Sequence, residues 1–231
     1  MTIIQGNGMS IIIKDFVRPK KELINSFINI RSATAHAAYG NQGAVESAIK
    51  PLFPEMKILG TALTIKAHPG DNLSLHAGLQ LSQPGDVLVV DTSNHTEQGV
   101  FGDMMAFDAL HRGVAGLITN GSVRDTESIR ALEFPVFSRS VAIQTAVKKT
   151  LGLINHPIAF GGVIINPGDL IIGDCDGVVV IAKEHIVDVL HQALQKIEKE
   201  KITREKIKNG QTLWEINDFN SKVKSLGYEE L

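Results

Sequence analysis

Two short stretches carry the residue types best suited to chemistry: Gly102-Asp103-Met104-Met105 and Gly121-Ser122-Val123-Arg124-Asp125. Each stands at the entry to a predicted helix, and the second follows a predicted strand over 116–119. A helix N-terminus presents backbone N–H groups without intrahelical partners and the positive end of the helix dipole, so it suits an anion. The amides of Met104 and Met105 are therefore available to a carboxylate. Arg124 adds a planar guanidinium able to grip the same carboxylate, or a keto oxygen, through two N–H groups. Asp103 and Asp125 offer hard oxygen ligands of the kind that Mg²⁺ or Mn²⁺ takes while keeping several waters. Anion cradle, arginine and paired acids together describe a site for a small oxo acid. A plainer reading stands beside this one: Asp at a helix start caps the helix, and Arg next to Asp is an ordinary surface pair.

The elements that must position these residues are legible in the hydropathy pattern. Apolar runs rich in β-branched residues predict buried strands over 60–67, 87–90, 116–119, 135–137 and 169–172. Helical stretches are predicted between them, over 72–80, 104–112 and 126–132. Pro-Gly-Asp occurs at 69–71, 84–86 and 167–169, and each triplet reads as a type II turn with glycine at positive φ. Asp71 then caps a helix, while Asp86 and Asp169 lead into strands. Asp174-Cys175-Asp176-Gly177 ahead of 178–181 predicts a hairpin with a type I′ turn. A long helix follows from Lys183, with Ile186, Leu190, Ala193, Leu194 and Ile197 as its apolar stripe and Glu198, Lys199, Glu200 and Lys201 on the other face. Strands alternating with helices, then a strand-rich section, predict one mixed α/β domain. Only about three β-to-α units are legible against the eight of a closed α/β barrel.

Composition excludes several other classes. The 231 residues are 43% hydrophobic and 21% charged, a globular balance that supports a full core. A net charge of −2 leaves no positive excess for phosphates, and 5% aromatics give no stacking platform, so nucleic acid is not an expected partner. One cysteine, Cys175, excludes an intramolecular disulfide and a thiolate zinc site within one chain. Met1-Thr-Ile-Ile-Gln-Gly lacks a basic signal region, and no apolar run reaches a membrane span, so a cytoplasmic protein with no membrane partner is expected. His68, His76, His95 and His111 lack zinc-protease spacing, and Ser122 lacks the Gly-x-Ser-x-Gly elbow. Asp174-x-Asp176-Gly177 has the start of a calcium loop without its remaining ligands.

The ordered motifs resemble one family. Asp103, twenty intervening residues and Arg124-Asp125 match a signature shared by two kinds of protein. One is the class II pyruvate aldolases acting on 4-hydroxy-4-methyl-2-oxoglutarate and 4-carboxy-4-hydroxy-2-oxoadipate. The other is the regulator of ribonuclease activity A (RraA), which binds ribonuclease E. Gly60-Thr-Ala-Leu-Thr64, Pro69-Gly-Asp-Asn72, Gln83-Pro-Gly-Asp-Val-Leu-Val-Val-Asp91, Gly161-Gly-Val163 and the run from Pro167 to Val178 resemble the same family. The resemblance covers 32–208 as an RraA-like domain, leaving 1–31 as an N-terminal extension with a helix and 209–231 as a C-terminal tail.

That resemblance implies an α/β fold of the swivelling β/β/α, phosphohistidine-domain type, assembled as a homotrimer or a dimer of trimers. It implies Mg²⁺ or Mn²⁺, a pyruvate-like 2-oxo acid substrate and a site between subunits. Asp125 would be the direct metal ligand and Asp103 an acid reaching the metal through water. Arg124 and the backbone of Gly102, Met104 and Met105 would hold the pyruvate moiety. Glu200, from a neighbouring subunit's C-terminal helix, would be the remaining catalytic acid. His36 falls where the family often has a histidine, with capping or packing equally open to it. The family pattern Arg-Asp-x-x-Glu/Asp is broken here, because Arg124-Asp125-Thr126-Glu127-Ser128 carries its acid one place early, about 100° around a helix. The implied activity is metal-dependent cleavage releasing pyruvate, accompanied by oxaloacetate decarboxylation. The alternatives are a non-catalytic regulator that binds ribonuclease E and a lyase for another 2-oxo acid.

Overall fold

The computed structural model describes residues 5–6 and 9–228. In chain order, β1 (Gln5–Gly6) and β2 (Met9–Ser10) lead to helices α1 (Lys21–Asn25) and α2 (Ser32–Ala38), the short β3 (Lys50–Pro51) and the long β4 (Ile58–Lys66). Next come α3 (Leu73–Leu81), β5 (Asp86–Asp91), β6 (Gln98–Phe101), α4 (Asp103–His111), β7 (Gly116–Val123), α5 (Thr126–Ala131) and β8 (Val136–Val141). Short strands β9 (Gln144–Thr145), β10 (Leu153–Ile154), β11 (Ile158–Phe160) and β12 (Val163–Ile165) precede the hairpin of β13 (Leu170–Asp174) and β14 (Gly177–Ile181). A 3₁₀ turn over Lys183–His185 opens α6 (Ile186–Lys208), followed by α7 (Leu213–Ile216) and α8 (Phe219–Ser225).

Ten strands form one mixed sheet. Its spine runs β14-β13-β4-β5-β7-β6-β9, with β8 beside β7, β3 beside β8 and β10 beside β4. Strands β4, β5, β7 and β8 are parallel neighbours, while β13 and β14 pair antiparallel at one end. Every residue of β5 and β7 is buried, as expected of parallel strands covered on both faces. Alternation then feeds two cores. Leu63, Ile65, Leu88, Val90 and Leu117 face α3, α4 and α5, whereas Ala62, Val87, Val89 and Ile118 pack towards β11–β14. A third core lies under α2 and α6, where Ile24, Phe27 and Ile30 of the N-terminal segment meet Leu170, Ile172 and Val189.

The Pro-Gly-Asp triplets behave as turns, with Gly70, Gly85 and Gly168 at φ of 70°, 90° and 96°. Two local expectations need correction. The hairpin at Asp174 forms, but its turn is not type I′: the central residues Cys175 and Asp176 keep negative φ, and the positive φ falls on Gly177. Asp174 explains the change, since its carboxylate accepts from the Asp176 amide at 3.0 Å and from the Ser32 amide and hydroxyl at 2.9 and 2.6 Å. The second correction concerns the stripe on α6. Ile186, Val189 and Ala193 are buried, yet Leu194 and Ile197 are exposed, because the helix runs on past the sheet it covers.

Candidate active site

Strand β7 runs four residues beyond its apolar start, and this extension builds the site. Over Gly116–Thr119 it pairs with β5, and Ser122 and Val123 pair with β6, whose register shifts between Gly99 and Phe101. The polar residues of the extension are buried and satisfied. Asn120 donates to Asp91 at 2.8 Å, and the Ser122 hydroxyl donates to the Thr96 carbonyl at 2.6 Å. The sheet therefore forks, bringing the carboxyl ends of β6 and β7 side by side. Ligand sites of parallel α/β sheets favour such strand ends.

Gly102 follows β6 as the N-cap of α4, and Arg124-Asp125 follows β7 at the start of α5. Asp125 adopts the left-handed conformation (φ 57°, ψ 39°), which costs a non-glycine residue about 1 kcal/mol and which aspartate tolerates better than most. Its carboxylate does not cap its own helix. Instead Oδ2 lies 3.4 Å from the Asp103 amide, at the N-terminus of α4, and 3.3 Å from Arg124 Nε. Arg124 is further steered by Nη1, which donates to Thr145 Oγ1 on β9 at 2.9 Å. Glycine is required at 102 for close approach: a Cβ there would stand 2.4 Å from Asp125 Oδ2 and 3.3 Å from Arg124 Cγ.

These groups line a cavity of about 200 Å³, smaller than a drug-sized pocket and suited to a small acid. Gly102, Asp103, Met104, Met105, Arg124 and Asp125 all border it, so one chain brings together every predicted site residue except Glu200. The Met104 amide is 2.7 Å from Asp103 Oδ1, so the cradle is partly self-satisfied as it stands. Glu200 sits on the exposed half of α6, between Lys196 at 3.0 Å and Arg204 at 3.6 Å. Glu127 and Ser128 border a separate opening, shared with Arg124, Asp125, Val141 and Ile143. His36 makes a structural contact, its Nδ1 2.9 Å from the Gln42 carbonyl oxygen.

Four further polar residues line the cavity that the sequence did not assign to the site: Asn72, His76, Thr145 and Lys148. Asn72 and His76 are four apart at the start of α3, spacing that puts them on one helix face. Burial lowers the His76 pKa, the Lys148 ammonium adds to that, and Asp108 opposes it. Lys148 and Thr145 carry no local signal.

The donor set can be tested against a divalent ion. Asp125 is left free of capping duty, its carboxylate approaches the backbone amide of Asp103 at 3.4 Å, and both residues border the cavity. Two carboxylates with no thiolate beside them suit Mg²⁺ or Mn²⁺. A second acidic group, Asp174-Cys175-Asp176, lies in the hairpin, where the Asp174 carboxylate is already taken up by backbone and hydroxyl donors. Among the described residues no helix is long and apolar enough to cross a membrane.

Fold and cavity define an α/β protein with a small polar cavity at the forked ends of its parallel strands. The profile of the RraA-like (Aldolase/RraA) family matches residues 29–180, and the chain belongs to that family. It is 37% identical over 175 residues to a Halalkalibacterium halodurans protein named "Putative 4-hydroxy-4-methyl-2-oxoglutarate aldolase", covering 76% of this chain and 83% of that one. An uncharacterized Methanocaldococcus jannaschii protein is 34% identical over 218 residues, covering 94% and 96%. Among solved structures, Streptomyces coelicolor RraAS2, described as an unusual member of the RNase ES inhibitor RraA family, superposes with a TM-score of 0.74 at 30% identity. That match covers 82% of this chain and all of the other.

Proposed function

We propose that this protein is a class II pyruvate aldolase, a divalent-metal-dependent carbon–carbon lyase that releases pyruvate from 4-hydroxy-4-methyl-2-oxoglutarate or 4-carboxy-4-hydroxy-2-oxoadipate. The observation that carries this reading is the meeting of Arg124, Asp125 and the α4 N-terminus at a residue where only glycine fits. Asp125, with Asp103 near it, would hold Mg²⁺ or Mn²⁺, which when bound supplies Lewis-acid polarisation of a 2-oxo acid.

The chain's own groups divide the remaining work. The amides of Met104 and Met105 bind the substrate carboxylate at the positive end of α4. Arg124 donates to the keto oxygen and stabilises the negative charge that grows there as the C3–C4 bond breaks and its electron pair moves into the enolate. A base takes the C4 hydroxyl proton so that C4 becomes a carbonyl, and protonation at C3 completes pyruvate. Glu200 from a neighbouring copy is assigned that role. Oxaloacetate decarboxylation needs the same enolate stabilisation without the hydroxyl deprotonation, so it accompanies the main reaction.

The assembly is a homo-oligomer in this reading, a trimer or a dimer of trimers. Met104, Phe107 and Leu110 form an exposed apolar row on α4, Val141 and Ile143 are exposed beside Asp125, and α6 projects Leu194, Ile197 and Ile202 into solvent. The test is pyruvate release from the hydroxy-oxo diacid by purified protein with and without Mg²⁺. Arg124→Ala should lower the rate by about 10²–10³-fold. No metal-dependent release, or full activity in Arg124→Ala, refutes the reading.

A second reading is supported by the S. coelicolor relative: a non-catalytic regulator that binds a ribonuclease of the E type. Stoichiometric, salt-resistant capture of ribonuclease E with no pyruvate release would select it. A lyase for another 2-oxo acid would instead show Arg124-dependent release from a different substrate.

A further inference from the structure

A different cavity, of about 330 Å³, lies along the seam between the N-terminal segment and the sheet. Its walls are the 27–31 stretch ahead of α2, the entry to β4 and the last residues of β13, and it shares no residue with the active-site cavity. That volume is in the range that holds a small organic molecule. The floor is buried core, with Phe27 and Ile58 sealed from solvent. Ile28, 71% exposed, and the partly buried Leu59 leave apolar surface facing the opening.

Two exposed cations, Arg31 and Lys57, border the same opening. Each of the other six arginines in the chain pairs with a carboxylate, whereas neither the Arg31 guanidinium nor the Lys57 ammonium has a hydrogen bond or ion pair among the described residues. The acid on this wall, Asp174, is already engaged: it accepts from the Ser32 amide and hydroxyl at 2.9 and 2.6 Å and from the Asp176 amide at 3.0 Å. Arg31 therefore acts on it through charge alone. The roots of both cations are fixed while their heads are free. Arg31 stands between buried Ile30 and Ser32, and Lys57 between buried Met56 and Ile58. Two cations against one carboxylate leave a single positive charge, which suits a ligand carrying one negative charge beside an apolar body.

We propose that this cavity is a second ligand site, for a small aliphatic monocarboxylate. Arg31 grips the carboxylate through two N–H groups, Lys57 adds the second charge, and the hydrocarbon body lies along Ile28 and Leu59. The site is independent of the aldolase reading. A ligand seated there joins the 27–31 stretch to β4 and β13, so it binds the folded chain alone and raises its Tm.

The test is calorimetric titration of the full chain with hexanoate, set against hexan-1-ol and inorganic phosphate, with thermal melts alongside. Hexanoate should bind saturably at one site, at least about tenfold more tightly than either comparison compound, and should raise the Tm. Arg31→Gln and Lys57→Gln should each weaken hexanoate by about tenfold, the loss expected for one charge-assisted hydrogen bond. Arg124→Ala should bind it as wild type does, which separates this site from the active-site cavity. If Arg31→Gln fails to fold, Lys57→Gln decides. The proposal is overturned by an absence of saturable binding, by hexan-1-ol or phosphate binding as tightly as hexanoate, by affinity unchanged in the Arg31 and Lys57 variants, or by affinity lost in Arg124→Ala. Failure of the aldolase reading would show separately, as absence of pyruvate release.

Discussion

Replacing Gly102 by alanine adds one methyl group at the point where the cradle, Arg124 and Asp125 meet. The backbone there is extended (φ −143°, ψ −173°), so alanine meets no conformational penalty of its own. Its Cβ would lie 2.4 Å from Asp125 Oδ2, against an ordinary contact of 3.4 Å or more, so the carboxylate must move by about 1 Å. Arg124 Cγ and Nε, each 3.3 Å from that Cβ, leave little room to give way. A displacement of about 1 Å in a catalytic group can cost about 10²-fold, and that is the expected fall in kcat/KM. The fold should feel far less. Alanine is a poorer N-cap than glycine by up to about 1 kcal/mol, which in a chain of this size lowers the Tm by about 2–4 °C.

Three measurements on the same variant separate these effects: pyruvate release by a coupled assay, Mn²⁺ affinity by calorimetry, and a thermal melt. Activity and metal affinity should fall together while the melt barely shifts. Activity within about threefold of wild type would refute the argument that this contact positions the acid. A melt lowered by about 10 °C or more would place the effect in folding instead.

Glu200→Gln should lower cleavage of the hydroxy-oxo diacid by about 10²–10⁴-fold while sparing oxaloacetate decarboxylation, since only the first reaction needs a base at C4. Its ion pairs with Lys196 and Arg204 are on the helix surface, so the Tm should stay close to that of wild type, and equal loss of both activities would refute the role. Asp71→Asn tests the anchor beneath Lys148. Burial pushes the Asp71 pKa up, but the amides of Leu73, Lys149 and Thr150 outweigh that and leave it below its ordinary value. A lowered carboxyl pKa contributes stability above the unfolded value of about 3.9 and loses it as pH falls through the folded value. The Tm gap between wild type and Asp71→Asn should therefore be full at neutral pH and shrink in acid below about pH 4; a gap independent of pH would refute the assignment.

How much of this could be read from the sequence depends on where the physical signal lies. The strands of the central sheet were legible because burial on both faces makes them continuous apolar runs, as in Val87-Leu88-Val89-Val90. The Pro-Gly-Asp turns were legible because proline and glycine impose their own φ. The far half of β7 was not, because Asn120-Gly121-Ser122 is polar and reads as a loop. Its burial depends on partners distant in sequence, Asp91 for Asn120 and the Thr96 carbonyl for Ser122. The turn type at Cys175-Asp176 likewise turned on Ser32, which engages Asp174 from 142 residues away.

The same contrast runs through the site itself. Gly102, Asp103, Arg124 and Asp125 announce themselves because the chemistry of a helix start is local: unpartnered amides, a short acid and an arginine within a few residues. The opposite wall has no such grammar. Asn72 and His76 share a helical spacing that many solvent-facing pairs also have. Lys148 looks like one member of the exposed pair Lys148-Lys149 until Asp71 is seen to take the amides of Lys149 and Thr150 and turn the segment towards the cavity. What distinguishes Asn72 is a property of the folded state alone: its Nδ2 is committed to Val100, so its Oδ1 is the group left over. Cradles built from consecutive backbone amides can thus be recognised from sequence, whereas a cavity wall built from side chains on separate elements emerges only in the fold.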